Sequence, residues 1–290
     1  MVRDSGSSVL ARILLVVAYS AQFRFPLTQE EIIRRFWQFD SENTLMNREI
    51  FRALKILVES GFLKERGGYY FLPHMIVGSI FDRKQRQEYS IEKLHSAEPV
   101  FQFFIKLPWV VGVAITGSVS VASAKKNDDV DFMIITKPNR LWLTRILTLL
   151  FAMRHGKRRS FAKEEPNSWC FNLWLTTNAL SVPQPQRRLY TAYEVCQAEW
   201  YINKDQTAQR FLEQNLWVKE LLPNYFEWRK TQLSQTGITD PTWSTSLVVG
   251  WLLSGLNAIL YWLQLIYMWP HRTTERVAWD HAWFHPKKRI

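Results

Sequence analysis

The sequence predicts an α+β chain in three parts, and three observations carry that prediction. Apolar residues recur with helical spacing in the first sixty positions, whereas continuous apolar runs of strand length fill the middle. A Gly-Gly pair followed by aromatic residues near position 68 marks a hairpin. Near the C-terminus, Pro241 to Pro270 holds no charged residue. The expected parts are 1–78, 79–200 and 201–290: a small helical domain with a hairpin, a mixed-sheet domain, and a C-terminal helical region.

In the first part, Ser8 to Ala21 has helical periodicity. Thr28 and Glu31 stand at capping-box spacing, where hydroxyl and carboxylate each satisfy the other residue's backbone amide, so a second helix follows to about Phe36. A third helix is predicted from Asn47 to Ser60, stopping at Gly61. Phe62 to Leu72 then reads as a hairpin turning at Gly67-Gly68. Three helices and a hairpin is the winged-helix order. Arg48, Arg52 and Lys55 share one face of the third helix, which suits phosphate contacts with nucleic acid. The same face equally suits packing on a neighbour or on a second subunit, and Glu59 lies beside it.

A charged helix, Ile80 to Leu107, is expected to lead into the sheet. Val110 to Thr116 is an apolar strand ending at Gly117-Ser118, and Val130 to Ile135 is another, entered through Asp128-Asp129 and containing Asp131. Strand alternation puts Asp129 and Asp131 on one side and Asp128 on the other. Two carboxylates on one side can hold hard divalent cations, Mg²⁺ or Mn²⁺. Gly117 lets backbone approach a ligand, and Ser118 offers an amide and a hydroxyl to phosphate oxygens.

An apolar strand, Gly-Ser, a gap of about ten residues and Asp-x-Asp entering a second strand together resemble the signature of the polymerase-β-like nucleotidyltransferase superfamily. The wording around Asn139–Arg145, Asn172 and Tyr190–Glu194 looks like a prokaryotic group of nucleotidyltransferase-like proteins with N-terminal winged helices. The resemblance covers most of the chain, but only Gly-Ser and Asp-x-Asp carry a mechanism. It implies transfer of a nucleoside monophosphate from a triphosphate to an acceptor hydroxyl, the acceptor being protein, RNA or a small molecule. Such proteins often take a third acidic residue from the strand read here as Trp169 to Thr176. Its mid-strand polar residue is Asn172, which takes up no proton near neutral pH. Two readings follow: an enzyme relying on two aspartates, or a nucleotide-sensing protein with weakened catalysis, including a winged-helix DNA-binding regulator.

Lys137-Pro138-Asn139 turns into a helix from Leu141 to His155, where Arg140 and Arg145 are candidates for phosphate pairing. Their alternative is structural pairing with acidic side chains. Lys157-Arg158-Arg159 reads as a solvated loop. Thr191 and Glu194 again have capping-box spacing.

In the last part, Ser246, Gly250, Ser254, Asn257, Tyr261, Gln264 and Met268 form a small or polar stripe along the uncharged segment. The segment is long enough to cross a bilayer. Its basic residues lie mainly downstream, so a span would send the sheet away from nucleoside triphosphates. A long helix buried in the protein or in a dimer is therefore preferred to a membrane span. His281 and His285 have helical spacing for a metal, but without an evident third ligand they are read as ordinary surface histidines. With 37 basic against 26 acidic residues the chain carries +11, which suits a polyanionic partner. Two cysteines without metal-type spacing, and no recognisable leader, predict a reducing, cytoplasmic setting.

Overall fold

A computed structural model describes residues 5–37, 47–75, 78–157, 166–235, 247–271 and 275–284. Helix α1 (Ser5–Ala21) leads to a short strand β1 (Leu27–Thr28), then α2 (Gln29–Arg35), α3 (Asn47–Glu59) and the hairpin β2 (Lys64–Arg66) and β3 (Tyr69–Phe71). Helix α4 (Gly78–Ile105) precedes β4 (Val110–Thr116), the single turn α5 (Gly117–Ser120), β5 (Val130–Thr136), α6 (Leu141–Arg154) and β6 (Trp169–Thr176). Next come α7 (Leu189–Gln197), β7 (Glu199–Asn203), α8 (Thr207–Glu213), α9 (Val218–Leu221), α10 (Pro223–Gln235) and α11 (Leu247–Met268). Two short strands, β8 (Arg276–Val277) and β9 (His281–Trp283), close the order. The chain is α+β.

The fold divides into two units, and neither is continuous in sequence. One gathers residues 1–88, 184–196 and 216–235; the other takes 89–183, 197–215 and 236–290. The boundaries expected at 78 and 200 do not coincide with them. The C-terminal third is also not purely helical, because β7, β8 and β9 all join the central sheet.

In the first unit, Val9, Ile13, Val16 and Val17 make the buried stripe of α1, and they meet Ile32, Ile50, Leu54 and Phe71 in one core. The Thr28–Glu31 capping box forms: Glu31 N donates to Thr28 Oγ1 at 3.3 Å and Thr28 N to Glu31 Oε2 at 2.8 Å. Burial would raise the Glu31 carboxyl, but Arg83 at 2.7 Å outweighs it and holds the pKa below the ordinary value. The hairpin turns at Gly67-Gly68 with φ of 60° and 82°, and β3 also pairs with β1 in a three-stranded sheet. Strand β1, only two residues long, carries no periodic signal in the sequence. Helix α7 begins at Leu189, two residues before the expected cap, so Thr191 lies inside it and donates to Gln186 O at 2.8 Å instead.

The second unit is built on a six-stranded sheet in the order β7-β4-β5-β6-β9-β8. Strands β5 and β6 are parallel, joined by α6 as a crossover; the other neighbours are antiparallel. Every residue of β4 is buried, and so is all of β5 except Asp131. Both strands are therefore continuous apolar runs rather than alternating ones. Ala97, Val100, Phe101 and Phe104 of α4 and Trp142 and Ala152 of α6 share the cluster that covers these strands.

Helix α11 is not the buried helix expected. Its polar stripe faces the protein and its apolar side faces outward, with Trp251 80% and Ile266 70% exposed. The stripe is used by α6. Asn257 Oδ1 accepts from Trp142 N at 2.9 Å and Leu143 N at 3.1 Å, capping the start of α6 from a distant helix. Gln264 Nε2 donates to Trp142 O at 3.0 Å. His281 sits in strand β9 beside Asp280, at 2.9 Å, so the helical spacing to His285 does not exist on its side. His285, Ser246, Arg158 and Arg159 lie outside the described residues.

Candidate functional site

The site forms where β4 ends against the start of β5. Their antiparallel register sets Thr116 opposite Asp131. The chain must then turn over that carboxylate, and it does so at Gly117 with φ of +68°. A β-carbon on Gly117 would overlap Asp131 Oδ2. Only glycine meets both demands, the left-handed backbone and the missing side chain. Ser118 Oγ donates to Asp128 Oδ2 at 3.0 Å, and Lys125 N donates to the same oxygen at 2.9 Å. Asp128 thus closes the connection between the two strands.

This differs from the expected disposition of the three aspartates. Strand β5 starts at Val130, so alternation does not reach Asp128 and Asp129. Asp128, expected to face away, is the residue that meets Ser118. Asp129 Oδ1 accepts from Ser168 N at 3.2 Å, next to the start of β6, while Val130 N donates to Ser168 O at 3.0 Å. The three carboxylates, all partly exposed, line the same end of the sheet on separate partners.

Asn172 is brought to the expected place. It is buried on β6, and its Nδ2 donates to Asp131 Oδ1. Its own Oδ1 accepts from Cys170 Sγ at 2.7 Å. The pairing of β5 with β6 runs Asp131 with Cys170 and Phe132 with Phe171, then jumps to Met133 with Leu173. Asn172 is the extra residue of this bulge, a device that re-aims one side chain without interrupting the sheet.

Sequence reasoning missed Lys93. It is buried on α4, and its ammonium donates to Lys126 O at 3.0 Å, Asp128 O at 2.6 Å and Asn167 Oδ1 at 2.6 Å. It pins the aspartate loop to the segment before β6. Burial holds its pKa below the ordinary lysine value, with Asp128 and Asp129 pulling the other way. A lysine at helical spacing among other charges gives no signal of burial, so only the fold reveals it.

Arg140 and Arg145 do not join this site. Arg140, at the opposite end of β5 from Asp131, donates to Ser254 Oγ at 2.9 Å and Gly250 O at 3.0 Å of α11. Arg145 pairs with Gln264 and lies 4.4 Å from the Phe284 ring, where burial pulls its pKa down to about 10. Both guanidiniums serve the seam between α6 and α11 in place of acidic partners. Arg48, Arg52 and Lys55 are exposed on α3, with Lys55 at 3.8 Å from Glu59.

Hard oxygen donors are what Mg²⁺ takes, commonly one or two carboxylates completed by substrate phosphates and water. Among the described residues no group of three or more His, Cys, Asp or Glu side chains gathers as a closed metal set. What is present is three partly exposed carboxylates, Asp128, Asp129 and Asp131, near the turn at Gly117. Comparison with family models, with curated proteins and with solved structures gives no match.

Proposed function

We propose that the chain is a metal-dependent nucleotidyltransferase that moves a nucleoside monophosphate from a triphosphate to an acceptor hydroxyl. The observation that carries this reading is the meeting of Gly117 with Asp131 and of Ser118 with Asp128 at one sheet end. The Ser118 amide, at the turn beside Gly117, would meet a phosphate oxygen, while its hydroxyl is given to Asp128. Asp129 and Asp131 would hold Mg²⁺ or Mn²⁺, which supplies charge neutralisation on the phosphates. Asn172 orients Asp131 through its amide and accepts no proton. In the reaction the acceptor oxygen bonds to the α-phosphorus, the bond to the β-phosphate bridging oxygen breaks, and pyrophosphate leaves. The hydroxyl proton passes to solvent water, since Asn172, in the place of a third carboxylate, takes up none.

The test is incubation of the full chain and Mg²⁺ with each α-labelled triphosphate and a cell extract, followed by identification of the labelled molecule. Transfer lost in Asp131→Ala, with its fold retained by circular dichroism, is the expected result. No label on any acceptor, together with no nucleotide affinity by calorimetry, would remove the enzyme reading.

A second reading rests on the first unit. Its helices, the β1-β3-β2 sheet and the exposed Arg48, Arg52 and Lys55 support a winged-helix-like DNA-binding regulator with a nucleotide-sensing second unit. It predicts salt-sensitive DNA binding that falls when those three residues become Glu, and no turnover with any acceptor.

A further inference from the structure

Helix α11 is inverted relative to a surface helix of a water-facing fold. Its polar side is consumed internally, and Trp251, Leu252, Ile259, Trp262, Leu263 and Ile266 are exposed. Among its described side chains Asn257, Gln264 and Met268 are buried and most of the rest are exposed, so it is not a core helix. From Gly250, bound by Arg140, to the buried Met268, it lies along the protein for about 27 Å at the rise of an α-helix. A helix held lengthwise on the unit that carries the sheet cannot stand upright through a bilayer. It can enter one only by its side.

We propose that the outward face of α11 docks side-on into the surface of an anionic lipid bilayer. Charge complementarity selects this occupant. No charged residue occurs from 241 to 270, and the sequence beyond it carries Arg272, Arg276, Lys287, Lys288 and Arg289 against Glu275 and Asp280. An apolar face followed by excess positive charge fits anionic headgroups above an acyl layer. Trp251 and Trp269, exposed near the two ends of the helix, place large apolar rings whose N–H groups need a polar partner. A headgroup region supplies that partner, and a dry seam between two copies does not. Side-on docking also leaves the whole chain on one side of the membrane, so the topological objection to a span does not apply. The inference is independent of the nucleotidyltransferase reading.

The test is flotation of the purified full chain with phosphatidylcholine vesicles, with and without phosphatidylglycerol, at low and high salt. The chain is expected to float with the anionic vesicles, and high salt weakens this. The double substitution Trp251→Glu with Ile266→Glu, at positions open to solvent, should cut partitioning roughly tenfold or more. In the unmodified chain, brominated lipid should quench tryptophan fluorescence, a readout that needs no variant. Absence of flotation and quenching overturns the proposal. So does equal binding to both vesicle types, or a dimer in solution that the two glutamates dissociate while no vesicle binds. Resistance to an alkaline carbonate wash overturns the side-on geometry.

Discussion

Asp131 Oδ2 lies in the space that a β-carbon on Gly117 would fill, and Gly117 itself sits at φ +68°. The carboxylate and the turn are thus fitted to each other, one strand apart. Changing either residue is felt by the other.

Gly117→Ala adds a methyl group against Asp131 in a backbone region that L-residues rarely adopt. The expected cost is about 1–3 kcal/mol, seen as a lower midpoint in urea unfolding. Nucleotide affinity by calorimetry should fall further than stability does, because the displaced Asp131 is a proposed metal ligand.

Asn172→Asp replaces the amide donor on Asp131 by a second carboxylate. Two facing carboxylates repel, so the melting temperature should fall in chelator and recover when Mg²⁺ is added. The unmodified chain should show a smaller response to the same addition. Equal metal responses in the two proteins would count against a cation site there.

Glu194, on α7, is pushed by burial from the ordinary 4.5 to about 7, with a Tyr190 hydrogen bond opposing. A carboxyl raised in the folded state keeps a proton that the unfolded chain has lost. Its contribution is therefore fully present below pH 4.5 and is lost as pH rises through about 7. Glu194→Gln should flatten stability across that window and leave the variant more stable than the parent above it, measured by denaturant midpoints at several pH values.

Asn257→Leu leaves Trp142 N and Leu143 N at the start of α6 without their cap. The expected loss is about 1–3 kcal/mol, since two buried donors go unsatisfied. Hydrogen exchange should rise at the first turn of α6 before it rises in β5.

Much of this organisation is legible in residue order. The capping box at Thr28, the Gly67-Gly68 hairpin and the continuous apolar runs of β4 and β5 follow from local spacing, while the place of Asn172 near Asp131 is an expectation drawn from the family resemblance. The stripe from Gly250 to Met268 is legible as a stripe, but its spacing alone leaves open whether it is a packing seam in a bilayer, the side facing the interior or the side facing a partner. Periodicity says which residues share a face and is silent on which solvent that face meets. Arg140 and Arg145 mislead for a related reason: a cation at the start of a helix has the same spacing whether it meets a phosphate or, as here, the Gly250 carbonyl and the Gln264 amide of another helix.

By itself, then, the sequence determined α1, α3, the hairpin and the apolar strands β4, β5 and β6, because short-range sterics and periodicity act within a few residues. Only the tertiary structure decided that Gly117 meets Asp131 and Ser118 meets Asp128, that Lys93 is buried over the aspartate loop, and that α11 turns its apolar side outward. Those outcomes depend on partners such as Ser168, Asn167 and Trp142, far away in the chain, and pairing across such distances is set by packing rather than by local pattern.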